Sequence, residues 1–496
     1  MLLNVRPEEV GISSGSVLRF LKKLEERGLS MHSVILARGN KIFAEYYWEP
    51  FNVQSLHRMY SVTKSFVGIA VSQLAAEGKL SLDDKIVDWF PESQPSEIHE
   101  YFARQTVRNM LTMQTCVCNH FWLGDRPADR VKHYFELKPC RPPGTAFYYD
   151  SEGSFVLGAL VEKITGKSFL EYLREKCLDK IGFSKNAYCL KCPGGYSWGD
   201  SALLATSRDL LLFARLLALG GKWNGEQLLS EAAVSEAIKK QVDNYSDETC
   251  SPYAYNNLGY GYQIWQTYRG GFAFYGMHCQ YALYDPETDI TFVCNSSEPT
   301  VTVASTNVIF ESLHSYIIER VDDGISYVSE QEARSLEAYS DTLKLAGIRG
   351  ERYSDHENEL NGKIFRAKEN RMGITEFSFR FEKERITWCY TNSQGYKELV
   401  LGRGENLFGQ FPQTDYPKEI GSVPCKGHTY YCAACAVWKQ PTRLAMKVQV
   451  IDEYIGVLNA TFSFLDGEVF VTMHKHAEDF LDEYSGSLIG EINKGG

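Results

Sequence analysis

The sequence predicts an α+β domain, an antiparallel sheet flanked by helices, followed by an all-β barrel. Three observations carry that prediction. Strand-like stretches stand at both ends of the first 320 residues, with helix-like stretches between them, so N- and C-terminal segments are expected to share one sheet. The pattern turns β throughout after residue 360, with turn residues roughly every ten positions. At 496 residues the chain is too long for one typical core. The expected organisation is a domain over 1–321, a linker with a helix over 322–359, and a barrel over 360–496.

In order, Ser16 to Arg27 reads as a capped amphipathic helix with Val17, Leu18, Phe20, Leu21 and Leu24 apolar. Residues 32–48 read as a hairpin around Arg38-Gly39-Asn40. An apolar helix begins near Ser61 and stops at Gly78, and a second opens at Thr106 as N-cap. Residues 121–141 show no clean period and read as an excursion over a surface or cleft. Helices follow over 153–164 and 210–219. Strands are expected at Tyr260–Trp265, Gly271–Tyr275, Tyr281–Tyr284 and Ile290–Cys294, then a helix over 302–320. A charged stretch, Asp322 to Glu359, holds a helix near Ser329–Leu345. Nine strands are expected between 363 and 474, and the last 22 residues carry little pattern.

Composition excludes some functions. The net charge of -11 does not attract nucleic acid or anionic lipid. No apolar run reaches the ~18 residues of a membrane span, and the N-terminus shows no signal-peptide core. The 13 cysteines are an odd, scattered set, so free buried thiols and a cytoplasmic location are expected rather than a disulfide framework. The pairs Cys189/Cys192 and Cys432/Cys435 and the cluster Cys116-x-Cys118-x-His120 lack a compact four-ligand zinc pattern, so no metal is expected.

The chemistry centres on Ser61-Val62-Thr63-Lys64. At a helix start, residues three apart share a face, so the Ser61 hydroxyl and the Lys64 amine stand side by side. Unpaired N–H groups there favour an alkoxide. S-x-x-K alone is expected by chance about once in a chain of this length, so its weight depends on partners. A serine nucleophile needs a base and oxyanion donors. No G-x-S-x-G elbow is present, and a lysine-assisted phenol is the alternative base. Tyr149, at a loop-to-helix junction after Pro143-Gly144-Thr145, is the candidate.

Together these stretches resemble the serine β-lactamase-related superfamily in its class C branch. That branch holds penicillin-binding-protein-like esterases, D-stereospecific peptidases and 6-aminohexanoate-dimer-type amidases. Ser61-Val62-Thr63-Lys64 matches its S-x-x-K box. Thr106-Val107-Arg108-Asn109-Met110-Leu111-Thr112-Met113 resembles its TVRxLLTM helix. Pro143-Gly144-Thr145-x-Phe147-x-Tyr149-Asp150-Ser151 resembles PGTxFxYxN/S, and Leu157 to Gly166 and Thr206-Ser207-x-Asp209-Leu210 continue the match. The third box corresponds to Gly276-Met277-His278-Cys279-Gln280, with Cys279 at a family glycine and no K-T-G.

The resemblance implies acyl transfer with Ser61, Lys64 and Tyr149 catalytic, and with the N–H groups of Ser61 and Met277 as oxyanion hole. Ser151, His278, Trp122 and Tyr60 are expected at the substrate, and Phe121 and Tyr134 are further candidates for an aromatic cleft. No cofactor is implied. The expected partner is a small molecule or short peptide, with no nucleic acid and no membrane; a homo-oligomer is compatible. The ranking is amidase or D-peptidase, then carboxylesterase, then weak β-lactamase. The reading from another class is a non-catalytic protein that binds a peptide or cell-wall fragment. The C-terminal part resembles a small lipocalin-like barrel; covering the cleft, dimerisation and a ligand of its own are all open roles.

Overall fold

The computed structural model describes residues 2–118, 129–244, 258–298, 303–322, 329–414, 429–476 and 481–492. Two compact units divide at Lys344/Leu345.

The first unit is built on a seven-stranded sheet. Helix α1 (Ser14–Glu26) is capped by Ser13, whose side chain accepts from the Ser16 N–H at 3.0 Å. Its Val17, Phe20, Leu21 and Leu24 are buried, the i, i+3, i+4, i+7 stripe of a helix lying on a core. Strands β1 (Met31–Arg38) and β2 (Lys41–Tyr47) form the hairpin read from the sequence. Strands β4 (Phe272–Gly276), β5 (Gln280–Asp285) and β6 (Ile290–Ser296) form an antiparallel meander, and β6 pairs with β1, Val293 opposite Ile35. N- and C-terminal segments therefore share one sheet, as expected. A short edge strand, Leu3–Asn4, adds one parallel pair.

Helix α2 (Val62–Ala76) is buried almost all round, so it runs through the interior rather than along the surface. Its Phe66 stacks on Phe213 of α6 (Ser207–Ala218) at 3.8 Å. A Cβ on Gly68 would stand 2.4 Å from the Tyr262 carbonyl, so this close approach requires glycine. Helix α5 (Ser151–Thr165) packs on α2, and α3 (Val107–Leu111) and α4 (Arg130–Glu136) pack on α5. A small sheet holds His57–Arg58, β3 (Leu203–Ala205) and Tyr188–Cys189 beside the start of α2. Helix α7 (Val303–Tyr316) follows the meander. Helix α8 (Glu330–Ser340), expected inside a linker, lies within the first unit, and its Leu336 is buried in the same core as α1.

Several elements differ from the sequence reading. Within the excursion of 121–141, residues 130–136 are helical: Val131, Tyr134 and Phe135 are buried and Asp129 caps the helix. Only Trp265–Gln266 pairs as a strand in the stretch Tyr260–Trp265, because Gln263 takes a positive φ of 61° and turns the chain back on itself. Cys118 and Cys140 are joined in a disulfide, against the expectation of free thiols. The backbone contact Cys140 N–H to Cys116 carbonyl, 2.9 Å, brings together segments whose 22-residue separation gives no local signal. Nine further cysteines among the described residues are free. No helix among the described residues is long and apolar enough to cross a membrane.

The second unit is the barrel. Its strands are β7 (Phe365–Ala367), β8 (Glu376–Phe381), β9 (Arg385–Asn392), β10 (Gly395–Arg403), β11 (Leu407–Gln410), β12 (Tyr431–Gln440), β13 (Arg443–Ile451), β14 (Ile455–Leu465), β15 (Glu468–His476) and β16 (Gly486–Ile492). The order is β10-β9-β8-β7-β16-β15-β14-β13-β12-β11, and a parallel pairing of β10 with β12 closes the ring. Leu444, Met446, Val448 and Val450 alternate inward along β13, the period of a half-buried strand. Phe377, Phe379, Trp388, Phe462 and Phe464 fill the interior. Strand β16 is the exception to the sequence reading: the C-terminal stretch thought patternless pairs with both β7 and β15.

Candidate active site

The segment before α2 sets the position of Ser61. The Met59 N–H donates to the Leu203 carbonyl at 2.7 Å, which ties this segment to β3. Tyr60 then takes a positive φ of 47°, uncommon for a bulky residue, and turns the chain into the helix. Ser61 occupies the N-cap with φ -65° and ψ -10°, and its side chain makes no capping bond. Its hydroxyl is therefore free of the helix. It accepts instead from Lys64 Nζ at 3.0 Å. Lys64 is 1% exposed, and its ammonium also donates to the Asp200 backbone carbonyl at 2.7 Å. Thr63, between them, accepts the Leu203 N–H at 3.1 Å.

Tyr149, the residue before the N-cap of α5, reaches this pair. Lys64 Nζ lies 5.0 Å from the centroid of the Tyr149 ring, within cation–π range. Three contacts fix the tyrosine's backbone on either side. The Tyr148 N–H donates to the Met113 carbonyl at 2.8 Å, and the Asp150 N–H to Met113 Sδ at 3.2 Å. Thr115 Oγ1 donates to the Asp150 carboxylate at 2.7 Å, which in turn caps α5 by accepting the Gly153 N–H. Burial pushes the Asp150 carboxyl above its ordinary range, against those two hydrogen bonds. The stretch Thr106–Met113 thus positions Tyr149 from the end of α3, whose start is a reciprocal Thr106/Asn109 capping box.

The third box closes the site. A Cβ on Gly276 would meet the Met59 carbonyl at 2.3 Å and Val62 Cγ2 at 3.3 Å, so the end of β4 lies against the start of α2 only because residue 276 is glycine. Met277 follows in the turn to β5, half-buried like Ser61. His278 and Cys279 hold that turn with φ of 61° and 59°. Two left-handed non-glycine residues cost about 1–2 kcal/mol each. The turn is held by Gln280 Nε2 and Ser296 Oγ, which both donate to the His278 carbonyl, at 3.0 and 2.6 Å. Asn295 fixes Gln280 in turn, at 2.8 Å.

Ser61, Lys64, Tyr149 and the Gly276–Met277 turn are therefore brought together. Ser151 stands on the first turn of α5, half-buried. Other expected residues are placed differently. His278 is 3% exposed, with Nδ1 against the Glu298 carbonyl at 3.1 Å and its ring beside Tyr60. Tyr60 is 1% exposed and packs under the Arg58 guanidinium at 4.6 Å, so it does not line a cleft. Tyr134 is wholly buried, bonded to Gln105 and packed on Phe102. Trp122 and Phe121 lie outside the described residues. The aromatic surface beside Tyr149 is made instead by Trp265, stacked on it at 5.7 Å, with Phe147 and Tyr275 at 6.0 and 6.1 Å from Trp265. All four rings are half-buried.

Sequence reasoning also missed Gln263. It is 1% exposed and joins three helices: its carbonyl accepts from Ser65, its Oε1 from Ser154, and its Nε2 donates to the Met110 and Leu111 carbonyls. Its partners lie 109 to 198 residues away, so no local pattern marks it. Among the described residues no group of His, Cys, Asp and Glu side chains could hold a metal ion.

The chain is similar to known proteins over much of its first unit. A family model described as Beta-lactamase matches residues 19–308. The 6-aminohexanoate-dimer hydrolase of Paenarthrobacter ureafaciens is 25% identical over 312 residues, 59% of this chain and 80% of that protein. Esterase EstB of Burkholderia gladioli is 29% identical over 138 residues, 24% of this chain and 34% of the esterase. A candidate beta-lactamase of Bacteroides dorei DSM 17855 superposes with a TM-score of 0.52 at 15% identity, over 62% of this chain and 98% of its own, and shares the fold. With a family match over more than half its length, this chain belongs to the Beta-lactamase family of serine hydrolases.

Proposed function

We propose that the protein is an acyl-transfer hydrolase that forms an acyl-enzyme at Ser61 and cleaves neutral amide, peptide or ester bonds of small substrates. One observation carries this reading: Lys64 Nζ stands 3.0 Å from Ser61 Oγ and 5.0 Å from the Tyr149 ring. Ser61 Oγ attacks the carbonyl carbon. Tyr149, poised by the Lys64 cation, takes the hydroxyl proton and delivers it to the leaving group. The N–H groups of Ser61 and Met277 hold the oxyanion, with the start of α2 adding its partial positive charge. Water then cleaves the ester by the same path in reverse.

The substrate class follows from what lines the site. Trp265, Phe147 and Tyr275 offer apolar surface beside Tyr149, which suits uncharged, apolar groups. The third box carries Met277 and an internally bonded His278 where a β-lactam-binding box has a cation, so penicillins rank last. Amide and D-peptide cleavage ranks first, and the name of the 6-aminohexanoate-dimer hydrolase relative agrees. Carboxylester cleavage is the second reading, favoured by the match to EstB. The contact between Ser61 and Lys64 speaks against a protein that only binds.

A competitive screen of esters, D-amino-acid amides, short amide dimers and penicillins tests this. Turnover is expected on the neutral amides or esters, slowest on penicillins, and none by Ser61→Ala. Full activity of Ser61→Ala on every substrate the wild type cleaves would overturn the mechanism.

A further inference from the structure

A second group of charges lies behind the site, wholly enclosed. Arg130 of α4 is 2% exposed. Its guanidinium grips Glu152 with two parallel bonds, Nε to Oε2 and Nη2 to Oε1, both 3.0 Å. Its remaining arm, Nη1, donates to Asp200 Oδ1 at 2.8 Å and lies 3.4 Å from Cys192 Sγ. Phe155 packs under the guanidinium at 4.2 Å. Each carboxylate is tied to the candidate site through the backbone, one by chain position and one by a hydrogen bond. Glu152 sits in the first turn of α5, three residues after Tyr149. Asp200 supplies the backbone carbonyl that receives Lys64 Nζ.

We propose that Arg130, Glu152 and Asp200 form a positioning triad that fixes the distance between Lys64 and Tyr149, and thereby the rate of acylation; this rests on the acyl-transfer reading above. Stability is a poor reason for such a group. Taking three charges out of water is costly, and well-packed apolar side chains of the same volume serve a core as well or better. What apolar side chains do not supply is direction. The planar fork of Arg130 fits one carboxylate geometry on α5 while its third donor fits another on the Asp200 loop. A shift of either element breaks a buried charge-assisted bond. The carbonyl that aims Lys64 and the helix start that aims Tyr149 are thus referred to one rigid plane. The sequence gives no sign of this: Glu152 and Asp200 lie 22 and 70 positions from Arg130, and the three belong to different elements.

The test compares Asp200→Ala, Asp200→Asn and Arg130→Lys in the full-length protein. The readouts are the rate constant for labelling of Ser61 by a fluorophosphonate, kcat and KM on the best ester, and thermal melting. Asp200→Asn keeps an oxygen for Arg130; Asp200→Ala does not, and Arg130→Lys keeps the charge but loses the fork. For folded protein, labelling and kcat are expected to fall about 10- to 100-fold in Asp200→Ala and Arg130→Lys, with KM little changed, because a small misplacement of reacting groups has that effect. Asp200→Asn should recover to within about threefold of the wild type. Labelling that falls only in step with the folded fraction, or an Asp200→Ala no slower than Asp200→Asn, overturns the triad's role. Should Arg130→Lys not fold, the Asp200 pair decides alone. A wild type that is not labelled at Ser61 overturns the acyl-transfer reading itself, and the triad's role with it; labelled wild type with unaffected variants overturns the triad alone.

Discussion

Lys64 has two acceptors within 3.0 Å, the Ser61 hydroxyl and the backbone carbonyl of Asp200, and is almost fully buried between them. Tyr149 is the less constrained partner: half-buried, its ring faces the amine, and Trp265 stacks beside it. In the proposed mechanism the tyrosine moves the proton, so Tyr149→Phe keeps the stacking and loses the chemistry. Its kcat/KM should drop about 10²- to 10⁴-fold with the melting temperature unchanged, as measured on the best substrate of the screen. A variant that retains wild-type kcat/KM would assign the proton transfer to Lys64 alone. That Ser61, Lys64 and Tyr149 come together was legible because each lies in a short local pattern, Ser-x-x-Lys or Pro-Gly-Thr-x-Phe-x-Tyr. Arg130, Asp200 and Gln263 were not, because their roles come from contacts over long separations. That Tyr60 is buried away from a cleft was not legible for a related reason: adjacency to Ser61 in sequence says nothing of which way a side chain turns at a positive φ.

The helix starts matter most among the elements. Helices α2 and α5 both begin at the site, and a short segment from α3 holds the second of them through Met113 and Thr115. The cap of α5 has two duties, closing the helix and holding the backbone beside Tyr149. Asp150→Ala should therefore cost about 1 kcal/mol of stability for the lost cap, read by urea denaturation, and should also lower kcat. A stability loss with kcat intact would limit Asp150 to capping. Helices with caps and a 3.6 period were readable within a few residues, as α1 and α6 illustrate. The pieces His57–Arg58, β3 and Tyr188–Cys189 were not, since two or three residues carry no period. Strand β16 escaped notice because Gly486 and Gly490 interrupt its alternation and only its partners β7 and β15 define it.

Across the whole molecule, the two units differ in what holds them. The second unit buries aromatic rings and Arg403, paired with Glu357, whereas the first unit buries Arg58, Lys64, Arg130 and His57. His57 is one of these, and burial lowers its pKa from 6.5 to about 4. The unfolded chain then binds a proton that the folded chain refuses. Stability is full above about pH 6.5 and is lost as pH falls toward 4, by about 3 kcal/mol for this one group. His57→Phe, beside Phe51 and His32, should flatten that acid limb in thermal melts taken from pH 7 to pH 4.5; an unchanged limb would assign the loss to other groups. The fold class was legible at this scale because the change from mixed to pure β pattern is long, and the Cys118–Cys140 disulfide was not, because it joins segments that only the fold makes neighbours. The proposed mechanism requires Ser61 to be an activated covalent nucleophile. Intact-protein mass spectrometry after brief exposure to a fluorophosphonate, followed by peptide mapping, tests it most directly. One adduct per chain on the Ser61 peptide, absent from Ser61→Ala and slow to form in Lys64→Met, is the predicted result; an adduct elsewhere, or none on folded and active protein, would contradict it.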